Sequence, residues 1–305
     1  IAVLPFDVFS SDQQDEFFVD GMVEELLNLL ARIPDLHVAA RTSSFAYKGV
    51  RNKTIVEIGQ ELGVSTILEG SIRKNDTSNL IRVTAQLINA KTGEHLWSET
   101  YDREYRDIFQ IQDEIAQSVV GKMKNTLLGV EDFKLHSETQ NVDAMVAFGK
   151  GQSELTHRTE TSLSKALAHF NDAISIDPSY ARAYVGRADA NYLLALYGSL
   201  DYKTARENAE KAINKAISLD VNIAAAYASR GLINTKVNPE LAETSFKRAI
   251  ELNPNYAMAY MWYGSMLKSK GENAHALTMF EKALSLDPKS PVAAFNVAWG
   301  YFENG

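Results

Sequence analysis

The sequence contains no cysteine and no long apolar run, and each absence removes a class of function. Without cysteine, the chain can form no disulfide, no thiol nucleophile and no cysteine-ligated metal site. It has no run of about 18 or more apolar residues, so we expect no membrane span within these 305 residues. The formal net charge of −8 argues against nucleic acid as a partner, because phosphate contacts require a basic surface.

The common catalytic motifs are missing as well. The sequence has no G-x-x-x-x-G-K-[ST] loop, no G-x-G-x-x-G after a strand, no H-E-x-x-H and no G-x-S-x-G. Its six histidines are scattered, and no two have the spacing of paired ligands on one helix. We therefore predict a protein that is not an enzyme, without catalytic residues, metal or cofactor. An enzyme whose site these motifs miss remains the alternative.

Apolar patterning predicts a small α+β domain at residues 1–128. Short apolar or alternating runs indicate strands, and longer runs with a period of about 3.6 residues indicate helices. The predicted elements are strands at 1–6 and 36–40, helices at 17–33 and 54–62, strands at 66–74, 80–89 and 95–103, and a helix at 108–127. Their order is β-α-β-α-β-β-β-α, with a hairpin turn at 75–79.

A second pattern, with a period of about 34 residues, recurs along residues 141–305. It is clearest from Ala257 to Pro288, where Gly264 and two alanines stand at the expected helix contacts and Phe280 fills the space between them. The pattern resembles the tetratricopeptide repeat (TPR), a helical hairpin whose apolar face is buried only when neighbouring repeats stack. After a connector at 129–140, we predict an all-α TPR superhelix of about four hairpins plus one extra helix.

Two irregularities interrupt the repeats. The second unit carries an insertion of about nine residues that includes 196–202, which predicts a lengthened helix or turn. The opening helix of the first unit, roughly 141–154, matches the pattern poorly.

The concave surface of a TPR array is the predicted binding site. It is formed by the first helix of each repeat, at positions 2, 5, 9 and 12. The residues at these positions are Arg182, Val185, Asp189, Ala225, Ala228, Leu232, Met258, Met261, Ser265 and Lys268. Small side chains and polarizable methionines favour an apolar segment of a protein or peptide partner. These residues do not match the Lys/Asn/Arg clamp by which some TPR proteins hold a carboxylate. The alternative is that they only pack against neighbouring helices.

One residue of the first domain is a candidate anion contact. Arg41 lies in the segment 40–44, directly after the predicted strand at 36–40, where α/β sheets often place ligand contacts. Its planar guanidinium can pair with a phosphate or a carboxylate. A structural ion pair is the alternative.

Five separated strings within 1–128 resemble the TolB amino-terminal-like domain of bacterial signalling proteins. They are IAVLPF, DGMVEELLNLLARIPDLHVAARTSSFAYKG, IGQELGVSTILEGSIRK, RVTAQLINAKTGEHLWSETYDR and DIFQIQDEIA. The resemblance implies TPR repeats behind this domain and an output module in front of it. That module is a winged-helix DNA-binding domain with one membrane helix (CadC-like), a class III nucleotide cyclase or a Ser/Thr kinase. Residues 1–128 resemble none of these, so the resemblance implies a sensory region that relays to a module elsewhere in the polypeptide.

The same resemblance gives an expectation for location. The chain opens on an apolar segment without Met or a basic leader, so we expect a piece of a longer protein. In membrane-anchored relatives this region faces the periplasm, and we expect that location here, with the cytoplasm also open. A homodimer, and an envelope-associated assembly scaffold without signalling output, are open alternatives.

Overall fold

The computed structural model of this protein describes residues 1–10, 13–33, 36–75, 80–123 and 139–304. The chain divides into two compact units, the first made of Ile1–Ser137 with Glu281–Ala298 and the second of Glu138–Phe280 with Trp299–Gly305. Most of the predicted turn at 75–79 and of the connector at 129–140 lies outside the described residues. The predicted domain boundaries therefore remain predictions.

A mixed sheet forms the centre of the first unit. Its strands are β1 (Ala2–Val3), β2 (Asp7–Val8), β3 (Thr66–Asn75), β4 (Leu80–Asn89) and β5 (His95–Glu104). They are ordered β1-β3-β4-β5, and β2 also pairs with β3. The two short strands run parallel to β3, whereas β4 is antiparallel to both of its neighbours, β3 and β5. Along β4, buried residues alternate with more exposed ones, which confirms the predicted strand with one covered face.

Helices accompany this sheet. They are α1 (Gln13–Ala31), α2 (Arg41–Phe45), α3 (Ile55–Leu62), a short 3-10 helix at Tyr105–Asp107, and α4 (Ile108–Met123). Ile111, Ile115 and Val119 of α4 are fully buried, as their helical spacing predicts. The helix predicted at 54–62 is confirmed, because Thr54 and Glu57 form a capping box and Gly63 ends the helix with a positive φ of 65°.

The strand predicted at 36–40 is wrong, and of the strand predicted at 1–6 only β1 (Ala2–Val3) is formed, whereas β2 begins after its predicted end. Pro5 has no N–H and separates β1 from β2. Residues 36–40 lie beside Ile1, whose amino group donates to the His37 carbonyl at 2.6 Å, while the Ala39 N–H donates to the Ile1 carbonyl at 2.9 Å. Because α2 begins at Arg41, no ladder develops. The order of the described elements is β-β-α-α-α-β-β-β-α, still an α+β arrangement.

The segment Glu281–Ala298 belongs to the first unit, although it is far from the sheet in sequence. The fully buried Ser43 donates to Asp287 Oδ1 at 2.5 Å and accepts the Lys289 N–H at 2.9 Å. Lys289 Nζ also lies 2.5 Å from Glu61 Oε2. Through these two hydrogen bonds and this ion pair, the segment contacts the rest of the first unit.

Helical hairpins follow one another through the rest of the chain. The helices are α5 (Val142–Leu155), α6 (Glu160–Ile176), α7 (Ala181–Tyr197), α8 (Tyr202–Leu219), α9 (Ala224–Asn234), α10 (Pro239–Leu252), α11 (Ala257–Ser269), α12 (Asn273–Leu286) and α13 (Pro291–Asn304). Their succession is that of four hairpins and one further helix, as predicted. The insertion lengthens its hairpin, because α7 and α8 have 17 and 18 residues whereas α9 and α10 have 11 and 14.

Candidate functional site

Close packing between glycine and phenylalanine sets the spacing of the helices in the second unit. A Cβ atom added to Gly264 would lie 2.7 Å from the ring of Phe280, and one added to Gly231 would lie 2.5 Å from the ring of Phe246. Real Cβ atoms do not approach rings so closely, so only glycine fits at these two contacts. The first helices of successive hairpins are also neighbours, since α7 contacts α9 and α9 contacts α11. The predicted groove residues therefore lie on adjacent helices.

The predicted groove residues fall into three classes of exposure. Val185, Ala228 and Met261 are buried, with 5%, 0% and 7% of their surfaces exposed. Arg182, Asp189, Ala225, Leu232, Met258 and Lys268 are partly exposed, and Ser265 is exposed. The three buried residues therefore correspond to the alternative that groove positions only pack against neighbouring helices. The other seven have surface that a partner could contact. Whether any of them binds a partner stays a prediction.

Asp189 joins two of these helices. The Ser229 hydroxyl on α9 donates to Asp189 Oδ1 on α7 at 2.6 Å. Although part of the residue is exposed, its carboxyl group is desolvated, and this raises the pKa of Asp189 to about 7, while the Ser229 hydrogen bond and the charge of Arg158 act in the opposite direction. Desolvation therefore favours the protonated form of this carboxyl group in the groove. Ser229 was not among the predicted groove residues, because its repeat position does not line the groove.

Arg182 is held against an aromatic ring. Its guanidinium lies 4.7 Å from the ring centroid of Phe148, which belongs to α5 and is almost completely buried. A cation over an aromatic face is favourable by about 0.5–1 kcal/mol at an exposed site. Sequence analysis missed Phe148, because the opening helix of the first unit matches the TPR pattern poorly.

The last helix contributes an aromatic residue. Lys268 Nζ lies 3.4 Å from the ring centroid of Trp299, a residue of α13. Helical spacing puts Val292, Phe295, Trp299 and Phe302 on one stripe of α13, and Val292, Phe295 and Phe302 are 58%, 68% and 83% exposed. We call these four residues the α13 stripe. They occupy positions 2, 5, 9 and 12 of the TPR pattern counted from Pro291, a part of the sequence that is not among the predicted groove-forming units.

Arg41 makes a structural contact in the first unit. Its Nε lies 3.1 Å from Glu24 Oε2, and its guanidinium lies 4.1 Å from the ring centroid of Phe45. These contacts correspond to the ion-pair alternative for Arg41. An anion contact at this residue stays a prediction.

Within the ranges that the structure describes, no group of three or more His, Cys, Asp and Glu side chains could hold a metal ion. The helices in those same ranges include none that is both long and apolar enough to cross a membrane.

Comparison with known proteins identifies the repeats. A family model described as tetratricopeptide repeat matches residues 238–291, so this chain contains TPR repeats. A solved structure similar to the chain is TTC0263, a thermophilic TPR protein of Thermus thermophilus. It has 18% identity and a TM-score of 0.46, and the match covers 63% of this chain and 92% of that one.

Two relatives have names from signalling and gene regulation. The chain is similar to a protein named putative adenylate cyclase 3 of Rhizobium meliloti (strain 1021), with 37% identity over 185 residues, 60% of this chain and 31% of the relative. It is also similar to the transcriptional regulator HilA of Salmonella typhimurium, with 25% identity over 313 residues, 100% of this chain and 54% of the regulator. The chain thus spans about a third of one relative and about half of the other.

Proposed function

We propose that this chain is a non-catalytic sensory and protein-interaction region of a bacterial multidomain signalling protein. The observation that carries the proposal is the row of partly exposed side chains on α7, α9 and α11, next to Trp299 of α13. TPR repeats commonly present such a row as an extended binding surface. The names of the two relatives, an adenylate cyclase and a transcriptional regulator, support a place in a signalling protein.

The chemistry of the row favours a protein or peptide segment with apolar side chains. Met258 offers a flexible and polarizable surface, and Trp299 offers a large apolar one. Lys268 covers Trp299 and brings a positive charge to the edge of this surface. A segment that combines an apolar side chain with a nearby carboxylate would complement these three residues.

Partner binding would then bias an output module elsewhere in the full polypeptide. This step rests on the resemblance of residues 1–128 to the TolB amino-terminal-like domain. The TolB-like character of the first unit and the periplasmic location rest on the same resemblance. Membrane anchoring and a homodimer likewise stay predictions for the full protein.

Blocking the groove tests the proposal. In the full polypeptide, Ser265→Arg would place a bulky cation at an exposed groove position, and Lys211→Glu would change an exposed residue of α8 that is outside the row. We expect the Ser265 variant to reduce both co-purification with the partner and the partner-dependent output, and the Lys211 variant to leave both unchanged. Equal behaviour of the two variants, or an output unaffected by deletion of residues 141–305, would contradict the proposal. In the second case a scaffold without output would be favoured.

A further inference from the structure

A cleft of about 540 Å³ lies within the first unit. Its floor is formed by four side chains of β3 and β4, namely Glu69, Ser71, Thr84 and Gln86. Its other lining side chains come from two places, Leu4, Pro5, Asp7 and Phe9 near the start of the chain, and residues between Tyr47 and Ile58, in and before α3. Along β4, Thr84 and Gln86 alternate with the buried Val83 and Ala85, so they belong to the more exposed face of the sheet. Known sites for small molecules are about 300–1,000 Å³ in size, so the cleft is large enough for a ligand.

The sheet holds the floor in a fixed arrangement. Glu69 stands opposite Gln86, and Ser71 stands opposite Thr84 in the antiparallel register of β3 and β4. Directly opposed residues have Cβ atoms about 4.5–5.5 Å apart, so the four side chains form a compact polar platform. Hydroxyl and amide groups can each donate and accept hydrogen bonds. The platform therefore matches a ligand whose own groups both donate and accept.

Charges around the cleft are balanced. Its lining includes two carboxylates, Asp7 and Glu69, and two cations, Arg51 and Lys53. Arg51 lies 4.0 Å from Asp7, and Lys53 pairs with Glu61 beyond the lining. A cation would be attracted by Asp7 and Glu69 but repelled by Arg51 and Lys53, and the reverse holds for an anion, so the four charges of the lining together favour neither sign. A neutral ligand meets no such opposition.

The carboxyl group of Glu69 is the part of the floor that a ligand could supply with a hydrogen bond. Its side chain is half-buried and makes neither a hydrogen bond nor an ion pair with another described residue. Burial and the charge of Asp7 raise its pKa, while His95 acts in the opposite direction. Part of Glu69 is exposed, so its carboxyl group is accessible to a ligand in the cleft. A ligand hydroxyl can donate to the carboxylate or accept from the carboxylic acid.

We propose that this cleft binds a neutral polyhydroxylated molecule of the size of a mono- or disaccharide through Glu69, Ser71, Thr84 and Gln86. A hydroxyl group both donates and accepts, as the floor does, whereas an ammonium group only donates and a carboxylate only accepts. The proposal concerns the first unit alone and is independent of the groove of the second unit.

Isothermal titration calorimetry of the whole chain tests the ligand class. The probes are glucose, galactose, N-acetylglucosamine and maltose, with butylamine as the cationic arm and succinate as the anionic arm. We expect at least one saccharide to bind with a dissociation constant of about 1 mM or lower, and neither charged probe to bind. The proposal is overturned if no saccharide binds or if a charged probe binds more tightly than all four.

Variants of the floor then test the site with the best saccharide. Gln86→Ala removes one hydrogen-bonding group and should weaken binding about tenfold. Glu69→Gln keeps a donor and an acceptor, so it should change affinity by less than about threefold, whereas it would abolish the binding of a cation. The matched control is Ser98→Ala, which changes an exposed neighbour of Gln86 on β5 that does not line the cleft.

Circular dichroism and thermal melting establish that each variant is folded. If Gln86→Ala does not fold, Thr84→Val replaces it with the same expected loss. The proposed site is overturned if Gln86→Ala (or Thr84→Val) leaves the saccharide affinity unchanged, or if Ser98→Ala reduces that affinity equally.

Discussion

The two units bury polar and apolar groups in different ways. The second unit repeats one contact, in which a glycine of the first helix receives a phenylalanine ring from the second, as at Gly231 with Phe246 and Gly264 with Phe280. The first unit relies on contacts that occur once, such as Ser43 with Asp287 and Glu61 with Lys289. A repeated contact leaves a period in the sequence, whereas a single contact leaves none. The comparison therefore predicts different responses to substitution.

The largest effect is expected where the repeated contact is removed. Phe246→Ala deletes a fully buried ring and should reduce the free energy of unfolding of the second unit by about 3–5 kcal/mol, because a cavity remains. Phe302→Ala is the matched control, since Phe302 is 83% exposed, and it should change stability by less than about 0.5 kcal/mol. Urea denaturation followed by circular dichroism measures both. Equal losses would show that the ring contact does not hold the hairpin together.

A smaller effect is expected when the glycine of the same contact is enlarged. Gly231→Ala would place a Cβ 2.5 Å from the Phe246 ring and should cost about 1–3 kcal/mol, because the ring must shift. In α4 of the first unit, a Cβ atom added to Gly121 would meet no atom of another described element within 4 Å, so Gly121→Ala should stabilise by about 0.5–1 kcal/mol through helix propensity. Thermal melting of the two variants should therefore show shifts of opposite sign. Shifts of the same sign would contradict the packing argument.

The single contact of the first unit is tested at Ser43. Ser43→Ala removes the donor to Asp287 and the acceptor of the Lys289 N–H, and it should cost about 1–3 kcal/mol because both partners lose their hydrogen bond. Ser98→Ala, at an exposed position of β5, should cost less than about 0.5 kcal/mol. Urea denaturation measures the two variants. If Ser43→Ala behaves like the control, Glu281–Ala298 is not held by these bonds.

The contributions of Asp189 and Glu61 to stability should depend on pH in opposite directions. The pKa of Asp189 is raised to about 7, so the folded state binds this proton more tightly than the unfolded state, where the value is 3.8. The contribution of Asp189 to the free energy of unfolding is therefore fully present below pH 3.8 and is lost as the pH rises to about 7. Asp189→Asn should therefore gain stability relative to the unmodified protein across this range.

Glu61 should show the reverse. Hydrogen bonds from Lys289, Lys53 and Tyr47 lower its pKa from 4.5 to about 2, so its contribution is present above 4.5 and is lost as the pH falls towards 2. Glu61→Gln should therefore lose stability at neutral pH but not near pH 2. Urea midpoints measured between pH 2 and pH 8 test both carboxyl groups. Parallel curves for the unmodified protein and either variant would contradict the assignment of that carboxyl group.

The same difference between the units explains what the sequence could predict. Periodic spacing was sufficient to predict the helical hairpins and the lengthening around 196–202, because each repeat supports the interpretation of the next. Local patterning was not sufficient for residues 36–40. Their composition is typical of a strand, but they form none and lead directly into α2 at Arg41. It also could not place Glu281–Ala298 beside Ser43, because a hydrogen bond between distant residues leaves no local pattern.

The candidate groove was predicted in part for the same reason. Repeat positions identified the row on α7, α9 and α11, but not which members of the row remain exposed. Burial of Met261 depends on its packing, and the bond between Asp189 and Ser229 joins residues of different repeats. The α13 stripe follows the same positions as the row and could have been found by extending the pattern to Pro291.

Photocrosslinking tests the central proposal, that the row on α7, α9 and α11 holds a partner, most directly. A photoreactive amino acid is placed in the full polypeptide at Ser265, which is exposed in the row, and separately at Lys211, which is exposed on α8. We predict that position 265 crosslinks to one defined partner segment and that position 211 does not. Crosslinking of the same partner from both positions, or from position 211 alone, would contradict the proposal.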